Sequence, residues 1–402
     1  MDRLLTFKRT QIPSISKLQR HVWQDTTKLF EEGKYHESLL GLFNYVDKDL
    51  VSTRGNQDKT EFNIPHGSVV VNVKIDSGHL NVTVPFLKMP EKNSIPLLRR
   101  IAEINFSPLN LATIVLEGDE LQFKYSTELN LCEPWKMYYV FREICINADN
   151  YDDEFIEKFG AIRLREPNVQ YFPADKQNEI WNTYQGMLSE AAQYGEFFEN
   201  KRIPGFVWDI LLQLFFNIDY LIAPQGALRT KLENVVSYMQ NNNYSLQEKI
   251  EKGKSLYKEL QNISREEFSS NLYISDLFIP IKNTASHENV KETFTNQYET
   301  AKKEMSHNDY MGAALSIRYV FLYEFYYSYA PDDVVEIMTN ALEKSSGQLW
   351  YDAADILWTA MEQIMSGQST QSEGASSSWG STSSSASSSS TWGGSSSSGW
   401  GK

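Results

Sequence analysis

The chain has 402 residues, 41% hydrophobic and 13% aromatic, with 38 Lys and Arg against 52 Asp and Glu for a formal net charge of -14. That is enough apolar material for one large or two ordinary domains without covalent staples. A body this acidic repels a polyanion, which argues against a nucleic-acid groove, and the two cysteines, Cys132 and Cys145, form neither a CxxC nor a Cys/His ligand pattern.

Near the start, Arg3, Lys8 and Arg9 surround a short apolar stretch, with no long apolar run and no small-residue cleavage site after it. A cytoplasmic protein with buried free thiols is the expectation. Residues 17–31 and 35–51 show helical spacing through Leu18, Val22, Leu29, Leu39, Leu40, Phe43 and Val46, broken at Gly33. The period then changes to two: 68–75 (SVVVNVKI) and 79–86 (HLNVTVPF) alternate on either side of Asp76, Ser77 and Gly78, a hairpin signal. Residues 95–106 return to helical spacing, with Pro96 near the start where a missing N–H costs little. Strands are predicted at 111–116 and 121–125 around the turn Glu117-Gly118-Asp119-Glu120, then a helix at 134–148 with a short companion at 152–160. This order predicts an α+β fold, an antiparallel sheet with helices packed on one side, over residues 14–167.

Alternation also assigns the faces, because residues two apart share a side. Val69, Val71, Val73, Ile75, Leu80, Val82, Val84, Phe86, Ile114, Leu116, Leu121, Phe123 and Tyr125 are expected to face the helices. The opposite face is then Val70, Asn72, Lys74, Asn81, Thr83, Val115, Gln122 and Lys124, a mixed surface that stays wet or takes a partner.

The run GSVVVNVKIDSGHLNVTVPFLKMP, through PLLRRIAEINFSPLNLATIVLEGDELQFKYSTEL, to EPWKMYYVFREICINADNYDDEFIEKFG resembles the YbjN-like and CesT-type (type III secretion chaperone) superfamily. The likeness rests on the mid-sheet helix ending Glu103-Ile104-Asn105, a small-residue strand, an acidic Gly turn, an amphipathic strand and a long helix closing at Ala148-Asp149. The resemblance implies a cytosolic domain that binds another protein or an extended segment of it, commonly as a homodimer, with no catalytic residues to carry over. Free-standing members are single small domains, whereas a further region follows here.

That region, 172–367, reads as all helical, with helices predicted at 180–199, 204–222, 228–239, 245–260, 290–305, 309–329, 331–344 and 349–365 and no strand. Pro204, Pro224, Pro280 and Pro331 punctuate it. LFEEGKYHESLLGLF (29–43) and EMSHNDYMGAALSIR (304–318) echo one another as helical hairpins, with small residues that let two helices approach. The tail, 368–402, is rich in Ser and Gly and is expected to be disordered. Its Trp379, Trp392 and Trp400 are candidate interaction spots, a bland spacer being the alternative.

No enzyme signature survives inspection. Gly253-Lys254-Ser255 ends like a phosphate loop, but Glu248 stands where the first glycine belongs. His36-Glu37 and His287-Glu288 lack the second His of a zinc helix, and the acids Asp149, Asp152, Asp153, Glu154 and Glu157 miss calcium-loop spacing, so capping at Asp152 is the expected role. Residues 206–222 (FVWDILLQLFFNIDYLI) are apolar nearly all round but carry Asp209, Gln213, Asn217 and Asp219, which predicts a buried helix and no membrane span. The aromatic run 319–329 places Tyr319, Tyr323, Tyr326 and Tyr327 either in the core or along a groove. No catalytic residue, cofactor or metal site is predicted. The reading is a non-catalytic adaptor or chaperone that holds a partner protein or extended segment on the sheet face or a helical groove, with a homodimer among the assemblies it allows. The rivals are an enzyme with an unrecognised site in the helical region and an envelope or secretion component tethered by the tail.

Overall fold

In the computed structural model, residues 1–10, 12 and 17–367 are described. A helical hairpin opens the fold, α1 (Trp23–Glu31) and α2 (Tyr35–Val46). Gly33 turns the chain at φ 77, where a side chain would be strained. The predicted helix to residue 51 ends at Val46, because Asp47 goes extended and its carboxylate accepts the Asp49 N–H at 3.0 Å; a short α3 (Leu50–Arg54) follows. Then come β1 (Glu61–His66), β2 (Val69–Asp76), β3 (His79–Lys88), α4 (Ser94–Phe106), β4 (Thr113–Glu117), β5 (Glu120–Glu128) and α5 (Pro134–Phe159). The strands pair antiparallel in the order β1-β2-β3-β5-β4. β1 is a strand that the sequence reading left out; it is short, and Pro65 interrupts an otherwise regular alternation of Glu61 and Asn63 outward with Phe62 and Ile64 inward.

One side of this sheet is packed by α2, α4 and α5, through Leu42 and Phe43, Leu97 and Ile101, and Val140, Phe141 and Ile144. Val69, Val71, Val73, Leu80, Val82, Val84, Phe86, Ile114, Leu121 and Phe123 are buried there, as alternation predicts. Ile75 and Tyr125 are only partly buried against it. Leu116 corrects the expectation: it shares that side but stays 43% exposed, because β4 is the sheet's edge. A bulge between Pro85 and Leu87 lets Phe86 and Leu87 both point inward.

α5 also corrects the reading, since the break expected near residue 150 does not occur. The helix runs unbroken to Gly160, which caps it at φ 77. Asp152 is no cap. It lies inside α5, nearly buried, accepting from Ser68 Oγ at 2.8 Å and paired with Arg163 at 3.0 Å. With partners supplied by the sheet side, acidic residues need not end a helix.

β6 (Ile162–Arg163) adds to the sheet beside β3, while β8 (Tyr273–Ser275), paired with β7 (Val169–Tyr171), and β9 (Asn283–Thr284), paired with β10 (Ser328–Tyr329), correct the expectation of a strand-free second region. They are too short for periodicity to reveal. Its helices are α6 (Ala174–Asn200), α7 (Pro204–Ile222), α8 (Gly226–Gln240), α9 (Leu246–Asn262), α10 (Arg265–Ser270), α11 (His287–Ser306), α12 (Tyr310–Tyr327), α13 (Asp332–Ser345) and α14 (Trp350–Ser366). Glu248, which spoiled the phosphate-loop pattern, closes a capping box with Ser245, while Gly253 sits mid-helix where a Cβ would stand 2.8 Å from Met239 Sδ. α7 is the one described helix long and apolar enough to cross a bilayer, and two thirds of that stretch is buried inside the protein.

The two cores interlock. Phe278 and Ile279 belong to the sheet core, and Leu4, Leu5 and Phe7 belong to the helical one.

Candidate functional site

The eight residues assigned to the outer sheet face form contiguous rows across five strands. Asn63, Asn72, Thr83, Lys124 and Thr113 are paired in one row, and Glu61, Lys74, Asn81 and Ser126 in the next. Pro85, Gln122 and Val115 make a third, and Val70 pairs with Pro65 beside them. None of the eight is buried. Their side-chain bonds stay within the sheet: Lys74 to Glu61 at 3.1 Å, Ser126 Oγ to Asn81 Oδ1 at 2.8 Å, and Lys124 to Glu117.

Both edges of this sheet are partly closed. Asn105 at the end of α4 grips β4 by taking the Ile114 N–H at 2.7 Å and donating to the Ile114 carbonyl at 2.8 Å, as a neighbouring strand would. Glu143 accepts three backbone N–H groups just ahead, from Asn110, Leu111 and Ala112. On β1, Gly55 bridges Phe62. With the edges occupied, the broad face is the larger open surface. On the helix side of the sheet, α4 turns an apolar stripe to solvent: Ile95 is 64% and Phe106 90% exposed, with Leu98 between them.

Tyr319, Tyr323, Tyr326 and Tyr327 pack against the helical core. All four are half-buried, gathered around Phe216 of α7 with ring centroids 4.9 to 6.3 Å away. Gln240 of α8 ties two of them, donating to the Tyr319 hydroxyl at 3.4 Å and accepting from Tyr327. Four rings fit one helix because they share one large partner. Trp379, Trp392 and Trp400 lie outside the described residues.

Sequence reasoning found no nucleophile beside a base, yet Cys145, His66 and Asp149 meet at the junction of the two regions. Cys145 and Asp149 are one turn apart on α5, and His66 ends β1 with Nε2 3.3 Å from Asp149 Oδ2. Burial lowers the proton affinity of His66, and the neighbouring Cys145 and Asp149 oppose it. Nδ1 accepts the Phe278 N–H at 3.1 Å, so the proton that His66 holds is the one on Nε2, toward Asp149. Gly67 donates to the Asp276 carbonyl at 2.8 Å, and Arg142 to the Ile281 carbonyl at 2.9 Å. His66 and Cys145 are each 1% exposed, beneath residues 276–281. A reactive thiol needs access and substrate room; this cluster has neither and acts as a weld. The Cys-x-x-x-Asp spacing on one helix was its only sequence signal, and nothing local pointed to His66. No group of three or more His, Cys, Asp or Glu side chains placed to hold a metal ion occurs among the described residues. No protein-family model matches the chain, and no curated protein matches it either.

Proposed function

We propose that this chain is a non-catalytic, cytoplasmic protein-binding adaptor or chaperone that holds an extended segment of a partner protein on its outer sheet face. One observation carries the reading: Asn72, Lys74, Asn81, Thr83, Val115, Gln122 and Lys124 stand in rows paired across neighbouring strands, with Val70 beside Pro65 at one end, all unburied and bonded only within the sheet. Such a face offers β-branched area and unspent amide donors and acceptors together, which suits a polar backbone with apolar side chains. The buried nucleophile cluster and the partly closed edges favour face binding over turnover or strand addition.

The test is affinity purification of the intact chain from its own cells, alongside Thr83→Arg/Gln122→Arg. One dominant protein retained by the native chain and lost from the substituted one, with unchanged thermal unfolding, supports the reading. Retention of the same protein by both removes the face from the argument. Recovery of no protein, with turnover of a small molecule by the purified chain, ends the adaptor reading.

A further inference from the structure

Residues 1–10 lie extended along the helical region, and the manner of their attachment is unusual for a core element. Leu4, Leu5 and Phe7 are buried among α6, α7 and α13 neighbours. Two backbone bonds, Leu4 N–H to the Gln348 carbonyl at 2.8 Å and Trp350 N–H to the Asp2 carbonyl at 3.2 Å, set the register. Beyond them, side chains hold the main chain. Glu190 accepts the Thr6 N–H at 2.9 Å, Ser346 Oγ accepts the Phe7 N–H at 2.9 Å, and the Tyr194 hydroxyl donates to the Arg3 carbonyl. The buried Arg318, oriented by Gln213 at 2.6 Å, donates to the Thr6 carbonyl at 3.4 Å. At the far end, Arg9 pairs with Glu336 and Glu343, each at 3.2 Å.

Side chains that satisfy the backbone of an extended segment, apolar sockets for three bulky residues and an acidic pair for a cation beyond them are the parts of a peptide receptor. The segment does not fill the site either. A cleft of about 620 Å³ continues beside it, lined by Lys8, Thr183, Gly186, Met187 and Glu190. We propose that this groove receives, in trans, an extended peptide from a partner protein with bulky apolar residues at positions p, p+1 and p+3 and a cation at p+5, and that residues 1–10 occupy it in cis as a competitor. The spacing is that of Leu4, Leu5, Phe7 and Arg9, and the acidic groove selects for the cation. This site is separate from the sheet face and does not depend on it.

The probe is a fluorescein-labelled synthetic peptide of residues 1–12, titrated by anisotropy into the intact native chain and into the intact Leu4→Asp/Phe7→Asp variant. A tethered competitor at about 1 mM effective concentration weakens a peptide of ~10 μM affinity about 100-fold, so saturable binding is expected to the variant and about 100-fold weaker binding to the native chain. The same two changes placed in the peptide abolish binding. Should the variant fail to fold, hydrogen exchange of the native chain decides. Excess peptide is then expected to expose the Leu4, Thr6 and Phe7 amides while residues 174–200 stay protected. A folded variant that binds no peptide, or arm amides unmoved by millimolar peptide, overturns the proposal. So does a native dimer whose leading segments cross-link between copies while added peptide leaves it intact, since the groove then serves exchange between copies.

Discussion

The two regions treat their exposed surface in opposite ways. In the sheet module, three helices cover one side and the other is left as rows of amides, hydroxyls and β-branched side chains; a contiguous apolar stripe also stays exposed on α4. In the helical region most large apolar groups are covered, Ile203, Leu246, Leu349 and Tyr351 being exposed singly, down to a groove filled by the chain's own residues 1–10 and a Phe216 ringed by four tyrosines. The difference teaches that a polar sheet face can stand wet at little cost, whereas an apolar groove recruits whatever segment is within reach.

The sharpest way to break that comparison lies across one step of β5. Phe123 is fully buried and Gln122 next to it faces out. Phe123→Ala is expected to cost about 3–5 kcal/mol through lost transfer and an unfilled cavity, against less than about 0.5 kcal/mol for Gln122→Ala, read by denaturant unfolding. Comparable costs at both positions would mean that the outer face is covered in solution. Gly67→Ala probes the weld between the regions. Gly67 sits at φ 52, and an added Cβ would stand 2.7 Å from Asp149 Oδ1. A loss of about 2–3 kcal/mol is expected, with the unfolding followed by aromatic fluorescence and circular dichroism together; a neutral result would show that the Asp149 contact is dispensable.

The helical core adds a pH signature that the sheet face lacks. Burial raises the Asp209 carboxyl to about 7, against the opposing pull of its Gln213 hydrogen bond and of Arg318 on α12, with Glu304 of α11 adding to the rise. The folded chain therefore keeps a proton that the unfolded chain releases near pH 4, so the stabilisation is complete below that point and is lost as pH climbs through about 7. Asp209→Asn removes this slope. Relative to the native chain, the variant is expected to gain about 1–3 kcal/mol between pH 4 and pH 8, in unfolding measured across that range. A difference between the two chains that stays flat with pH sinks the assignment.

How much of this was legible follows from the range of each signal. Period two in SVVVNVKI and HLNVTVPF named the inner and outer faces of β2 and β3, because the alternating geometry is local. Helices of the second region were found through apolar spacing and proline punctuation for the same reason. What escaped depends on contacts distant in sequence. α5 runs on past residue 150 because Ser68, His66 and Arg163 serve its acids, and the weld joins His66 to Phe278, more than 200 residues away. Residues 1–10 read only as Arg3, Lys8 and Arg9 around a short apolar stretch; the acids and hydroxyls of α6 and α13 and the loop beyond give that pattern a meaning.

The smallest expected effect tests why the sheet offers a face and not an edge. Asn105 reads Ile114 through both its amide N–H and its oxygen, occupying one hydrogen-bonding position of β4 that another strand would otherwise use. Asn105→Ala forfeits two bonds at a partly exposed site, about 1 kcal/mol in all, since water replaces part of what is lost. The larger consequence is associative: the freed Ile114 groups, with Leu116 and Phe106 exposed nearby, turn β4 into a template for a second chain. Sedimentation velocity is expected to show the variant associating at concentrations where the native chain's profile is unchanged, and Leu116→Lys placed on top is expected to reverse it, because a charge on an edge strand opposes pairing. If Asn105→Ala sediments like the native chain, β4 is kept from pairing by its short length or by the Glu143-held turn ahead of it, and the amide clamp is a local bond without a protective role.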